Sequence, residues 1–184
     1  MVDKNHYSLT KMLNIIGIDP GSQLGIAVLQ VEEHKIVNLV LTCTDLNKDL
    51  MINKHFGMDA TYKRYANIRL TIKRLYEHYP FDYVGIETVF KHRFANAVIQ
   101  LSSISAIIKD SIYNVNPLCE IHGIEPKRVK KVIGAGGSAD KEAVAKAVKK
   151  LKEFKHLGEV TSHETDALAI AYVIYKQLIT DKKV

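Results

Sequence analysis

Apolar and polar positions follow two periods along this chain, and each change of period marks a new element. Ile15-Ile16-Gly17-Ile18 is an unbroken apolar run that closes on Asp19, and Leu24 to Val31 is a second run. Pro20-Gly21-Ser22 breaks the pattern between them. Proline fixes φ there, and glycine permits a positive one. Run, breaker and run predict two buried strands joined by a tight turn. Glu32-Glu33-His34-Lys35 predicts a polar turn, and Ile36 to Leu41 a third strand, so the chain opens as an antiparallel meander. Residues 43–58 are polar and aperiodic and predict a loop.

From Ala60 to Tyr79 the period lengthens. Tyr65, Ile68, Ile72, Leu75, Tyr76 and Tyr79 fall at helical spacing, and Pro80 stops the helix. Phe81 to Glu87 predicts a fourth strand. A long helix over about 93–114 follows, with Phe94, Ala97, Val98, Leu101, Ile104, Ile108 and Ile112 on one face and Pro117 beyond it. Leu118 to His122 predicts a short fifth strand. Pro126 opens a basic helical segment holding Lys127, Arg128, Lys130 and Lys131, which Gly134-Ala135-Gly136-Gly137 interrupts. Ser138 is expected to cap the next helix, whose buried face is Ala143, Val144, Ala147, Val148, Leu151 and Phe154. The last helix runs from Thr161 to about Thr180, and Thr161 and Glu164 stand at capping-box spacing. Ala167 to Tyr175 is apolar all round, which predicts burial.

This order of elements predicts one α/β domain over residues 14–184, a central mixed five-stranded sheet flanked by helices, behind an N-terminal extension at 1–13. No apolar run is long enough to span a membrane. The first 13 residues lack the apolar core of a secretion signal, so a cytoplasmic protein is expected. Cys43 and Cys119 lie in apolar stretches without metal-ligand spacing, as small buried hydrophobes in a reducing compartment do. The net charge of +6 suits a polyanionic partner, nucleic acid above all.

The chemistry lies in three acids. Asp19 and Glu87 each end an apolar strand, and Asp166 sits in the first turns of a helix that otherwise admits almost no charge. Carboxylates in such places are costly unless paired or on a metal. His163 shares a helix face with Asp166, while Glu164 serves the capping box. Oxygen-rich sites of this kind suit Mg²⁺ or Mn²⁺. Two such ions about 4 Å apart can activate a water and stabilise the leaving oxygen in phosphodiester cleavage.

The chain resembles the RuvC-type Holliday junction resolvases of the RNase H-like nuclease superfamily. The resemblance spans about residues 14 to 176. It is carried by Gly17-Ile18-Asp19-Pro20-Gly21-Ser22, Ile86-Glu87-Thr88-Val89-Phe90, Val129-Lys130, Gly137-Ser138-Ala139-Asp140-Lys141 and the run from His163 to Ala171. It implies an RNase H-like fold and a Mg²⁺-dependent homodimeric endonuclease that nicks two opposed strands of a four-way DNA junction. Asp19, Glu87, His163 and Asp166 match the family's catalytic, metal-holding positions. The position of His163 is often aspartate in the family, with histidine a known variant. Two Mg²⁺ per site are implied, with Mn²⁺ able to substitute. Phe90 matches an aromatic that stacks on bases at the opened junction, and Lys130 and Lys141 match basic residues near the scissile phosphate. Arg128 and Lys131 join Lys130 as candidate DNA contacts, and the helix at 93–114 as a candidate dimer surface. A branch-migration helicase is a further partner left open.

Two other readings share these residues. Gly-Ile-Asp-x-Gly also opens actin-like and sugar-kinase folds, which need two such domains around a nucleotide. A non-catalytic junction binder would have no use for buried carboxylates. Other branched DNA is also a candidate substrate.

Overall fold

The computed structural model describes residues 12–48, 60–88 and 95–181. The extension at 1–11, most of the 43–58 segment and Phe90 therefore lie outside the described residues. The described strands are β1 (Leu13–Asp19), β2 (Gln23–Glu32), β3 (Lys35–Asp45), β4 (Tyr83–Glu87) and β5 (Glu120–Ile124). The helices are α1 (Ala60–His78), α2 (Ala95–Val115), α3 (Pro126–Val132), α4 (Lys141–Lys150) and α5 (Ser162–Asp181), with a 3-10 turn at Lys152–Phe154. The strands form one mixed sheet in the order β3-β2-β1-β4-β5. The meander β1-β2-β3 is antiparallel, whereas β4 and β5 run parallel to β1.

Strand alternation sorts the residues into two layers. Ile16, Ile18, Leu24, Ile26, Val84 and Ile86 pack on one face against Ile68 and Ile72 of α1 and Ile104, Ile108 and Ile112 of α2. Ile15, Ala27 and Leu29 pack on the other against α3, α4 and the unbroken apolar stretch Ala167–Tyr175 of α5. That stretch is buried throughout, as its composition requires.

α5 lies closer to the sheet than side chains would ordinarily allow. Gly17 pairs with Ala27 on one side and Gly85 on the other, so three neighbouring strands present their smallest residues in one row. A Cβ on Gly17 would run into the Ala167 carbonyl and come within 2.5 Å of Ala171 N. One on Gly25 would strike the His163 carbonyl, and one on Gly85 would sit 2.8 Å from Ile170 Cγ2. The glycines let the helix backbone rest on the strand backbones.

Several boundaries differ from the sequence expectation, for physical reasons. β1 starts at Leu13, inside the expected extension, because Leu13 pairs with Val31. β3 continues to Asp45 because Cys43 and Asp45 pair with Gly25 and Gln23; ladder hydrogen bonds override the polar side chains. Cys43 is accordingly half-buried and Cys119 buried. β5 begins two residues late because Asn116 turns the chain, accepting from Leu118 N through its side chain and from Cys119 N through its carbonyl. Leu118 is left 90% exposed. The cap of α4 is Asp140 rather than Ser138: its Oδ1 accepts from Ala143 N at 2.8 Å. The capping box at α5 forms as expected, with Glu164 Oε2 accepting from Thr161 N at 2.8 Å. Ile104, Ile108 and Ile112 of the α2 stripe are spent on the core, so they cannot serve a dimer surface.

Gly17→Ala is expected to cost stability at or beyond the upper end of the ~1–3 kcal/mol typical of overpacking, because the groups it strikes are mostly backbone. Gly136→Ala, where nothing stands within 4 Å, is expected to leave the melting temperature near wild type. Thermal unfolding of both variants measures the contrast.

Candidate active site

Asp19 and Glu87 arrive at one place because β1 and β4 are parallel neighbours. Ile18 pairs with Ile86, so the next residues, Asp19 and Glu87, emerge together past the end of the ladder. Both share the face of Gly17 and Gly85, the α5 face, since side chains alternate. Carboxyl ends of parallel strands are where open α/β sheets hold ligands.

Helical periodicity supplies the rest. His163, Ala167 and Ala171 lie along one line of α5, above β1 and β2. Asp166, Ile170 and Ile174 lie along the next line, above Gly85 of β4. Extending each line back toward the helix N-terminus carries His163 to Asp19 and Asp166 toward Glu87. His163 Nδ1 stands 2.8 Å from Asp19 Oδ2, and Asp19 is only 8% exposed. An ionised Asp19 accepts the Nδ1 proton, which leaves Nε2 of the ring free. Gly25 makes room for the His163 backbone.

Electrostatics shows how tightly the acids are grouped. Burial pushes the Glu87 carboxyl up to about 7, and repulsion from Asp19 and Asp166 adds to the rise. Burial raises Asp166 to about 6, with Asp19 again contributing. Asp19 is raised by burial and drawn back by His163 and Lys141. Lys130 and Lys141 offset the rise at both Glu87 and Asp166. The fold therefore gathers Asp19, Glu87, His163, Asp166, Lys130 and Lys141 into one electrostatic unit. Arg128 and Lys131 lie on the exposed side of α3 and are not among the charges acting on the acids.

Among the described residues no group of three or more His, Cys, Asp or Glu side chains forms a ready-made cage for a metal ion. The donor set nevertheless fits a hard cation: one imidazole and three oxygen-bearing acids, the acids raised chiefly by burial and, at Glu87 and Asp166, further by repulsion from their neighbours. A divalent charge among them would relieve that repulsion.

The sequence singles out every member of this unit, but it does not reveal the row Gly17, Ala27 and Gly85 on which α5 rests. Glycine inside a buried strand was the available signal. Cys43 is also unforeseen here: it pairs with Gly25, and its thiol is raised first by burial and then by Glu164.

Comparison with known proteins agrees with this architecture. The family model for "Crossover junction endodeoxyribonuclease RuvC" matches residues 15–174. The RuvC of Wolinella succinogenes is 30% identical over 166 residues, covering 86% of this chain and 91% of its own. That of Thermosipho melanesiensis is 29% identical over 164 residues, covering 88% and 96%. Thermus thermophilus RuvC in complex with Holliday junction substrate superposes with a TM-score of 0.67 at 19% identity, over 91% of this chain and 96% of that one. At that identity the likeness speaks for the fold, which is RNase H-like. With the family model spanning most of β1, the other four strands and most of α5, the chain belongs to the RuvC family of crossover junction endodeoxyribonucleases.

Proposed function

We propose that this chain resolves four-way DNA junctions, and possesses the means to cut other branched DNA, using two divalent cations at Asp19, Glu87, Asp166 and His163. Mg²⁺ is the proposed metal, with Mn²⁺ able to substitute. One observation supports the reading: three acids are grouped and partly desolvated at the ends of β1 and β4 and the start of α5, where a bound cation would stabilise their ionised forms. Cations held by these residues would supply Lewis-acid chemistry for water attack and for the leaving oxygen. The chain's own residues do the remainder. Asp19, Glu87 and Asp166 fix where that charge sits, and His163 orients Asp19 while its Nε2 stays available as ligand or proton acceptor. Lys130 and Lys141 flank the acids and screen the phosphate's developing charge. Arg128 and Lys131 extend the basic surface of α3 along the DNA. A homodimer would match the near two-fold junction with its own two-fold axis. The proposed role of Phe90 is to stack on bases at the opened junction centre.

Asp19→Asn keeps the shape of the side chain and removes the charge. It is expected to abolish junction cleavage and preserve binding, with gel shift and cleavage on one junction as the measurement. Cleavage near the wild-type rate would overturn the metal assignment.

The raised acids also predict how stability varies with pH. With Glu87 moved from 4.5 to about 7 and Asp166 from 3.8 to about 6, the unfolded chain loses these protons first as pH rises. The metal-free protein therefore loses stability from about pH 4 upward, and the loss is complete above about pH 7. Mg²⁺ is expected to raise the melting temperature at about pH 8 and to do little near pH 4. Glu87→Gln is expected to raise the metal-free melting temperature at high pH by about 2–4 °C, the equivalent of ~1 kcal/mol in a chain of this size. It should also shrink the response to Mg²⁺. Calorimetry with chelator and with Mg²⁺ tests both signs.

Phe90→Ala is expected to slow junction cleavage by about 5–150-fold, the worth of ~1–3 kcal/mol of base stacking, with an unchanged melt. A fall in stability of about 3–5 kcal/mol would instead mark Phe90 as a core residue.

A further inference from the structure

A second cleft stands behind the acid cluster, across the end of β4. Its cavity of about 290 Å³ is lined by Glu87 and Thr88 of the strand end and by Ser102, Ser105 and Lys109 of α2. Ser102, Ser105 and Lys109 recur at helical spacing, so one stripe of α2 faces it. Gly123 of β5 forms part of the wall, and a Cβ there would come 2.8 Å from Thr88 Cγ2. The glycine therefore keeps the strand end from being crowded where the cleft opens.

The donors in this cleft are unused. α2 carries four serines. Ser103 and Ser111 donate back to the carbonyls of Ile99 and Ile107 at 2.9 and 2.6 Å. Among the described residues, the hydroxyls of Ser102 and Ser105 have no hydrogen-bond partner and the ammonium of Lys109 no ion pair. The neighbouring Asp110 is paired with Arg69 across the helices at 3.7 Å. The cations acting on the Glu87 carboxyl are Lys130 and Lys141, from the α5 side of the sheet. Lys109 thus offers a positive charge on the opposite side of the same strand.

An ammonium and two free hydroxyls along one helix stripe, lining a small cleft, are a donor set for a phosphate. We propose that this cleft binds a backbone phosphate of the cut DNA strand, next to the scissile one, with Lys109 as its cation and Ser102 and Ser105 as hydrogen-bond donors. The placement follows from the strand end itself. Glu87 faces the acid cluster on one side of β4, and Thr88, one residue on, faces the cleft on the other. A strand that crosses the end of β4 meets the two in succession. Lys109 is then a positioning residue: it fixes which phosphate lies over the acids.

The inference rests on the junction-cutting reading, and the test separates the two. Junction binding by wild type and Lys109→Ala is measured across a salt series in chelator, with Lys73→Ala, on α1, as a surface control. Lys109→Ala is expected to weaken binding and to flatten the slope of log K against log salt by about 0.7–0.9, one phosphate's worth. Lys73→Ala, whose ammonium already faces Glu77 at 4.0 Å, should change neither. Junctions carrying a single neutral methylphosphonate on either side of the cut then locate the contact. At one such position the difference between wild type and Lys109→Ala should vanish, while the Mg²⁺-induced rise in melting temperature is unchanged in the variant. An unaltered affinity and slope, or a difference that persists at every methylphosphonate position, overturns the cleft while leaving junction cutting intact. Failure of the wild type to bind or cut any junction overturns the functional reading instead.

Discussion

The approach of α5 to the sheet governs the rest of this structure. Gly17, Gly25 and Gly85 present bare backbone where any larger residue would meet the helix. That contact gathers one apolar layer, since Ala167, Ala171, Ile170 and Ile174 fill the space the glycines leave. It also aims the helix N-terminus. With the helix rotation fixed by those small residues, His163 must fall on Asp19 and Asp166 must project beside Glu87. Packing in the core and geometry at the site are therefore one constraint, set by side chains that are absent.

The acids sit in an unfavourable balance that the surrounding residues only partly correct. Burial raises Asp19, Glu87 and Asp166, and each raises the others or is raised by them. Lys130, Lys141 and the His163 ring reduce the repulsion without removing it. Acids perturbed by burial and by one another cluster at functional sites. The hydrophobic layers on both faces of the sheet hold the strand ends in place despite it.

Much of this was legible in the residues. Asp19 and Glu87 stood out because a carboxylate closing an apolar strand has few explanations, and α5 because Ala167–Tyr175 is apolar all round. Local pattern failed where a tertiary partner decided the outcome. β3 outruns its apolar run because β2 offers it a ladder to Asp45. Asp140 displaces Ser138 as cap because its carboxylate sits three residues before Ala143 N. Ile104, Ile108 and Ile112 looked available for a partner until α2 was seen to lie on the sheet. Lys109 gave no signal at all, because one lysine on an amphipathic helix carries no information until the strand end across from it is known.

The order of the site along the chain has a consequence for its synthesis. Asp19 sits in the first described strand, while His163 and Asp166 open the last described helix. As the chain leaves the ribosome, the meander can pair early, yet the face destined for α5 stays wet until residues beyond 170 emerge. A nascent or truncated chain lacking α5 holds Asp19 without its imidazole and Glu87 without its second acid. The cluster is thus completed last, together with the final burial of the core, so assembly of the candidate site and completion of the fold are one event.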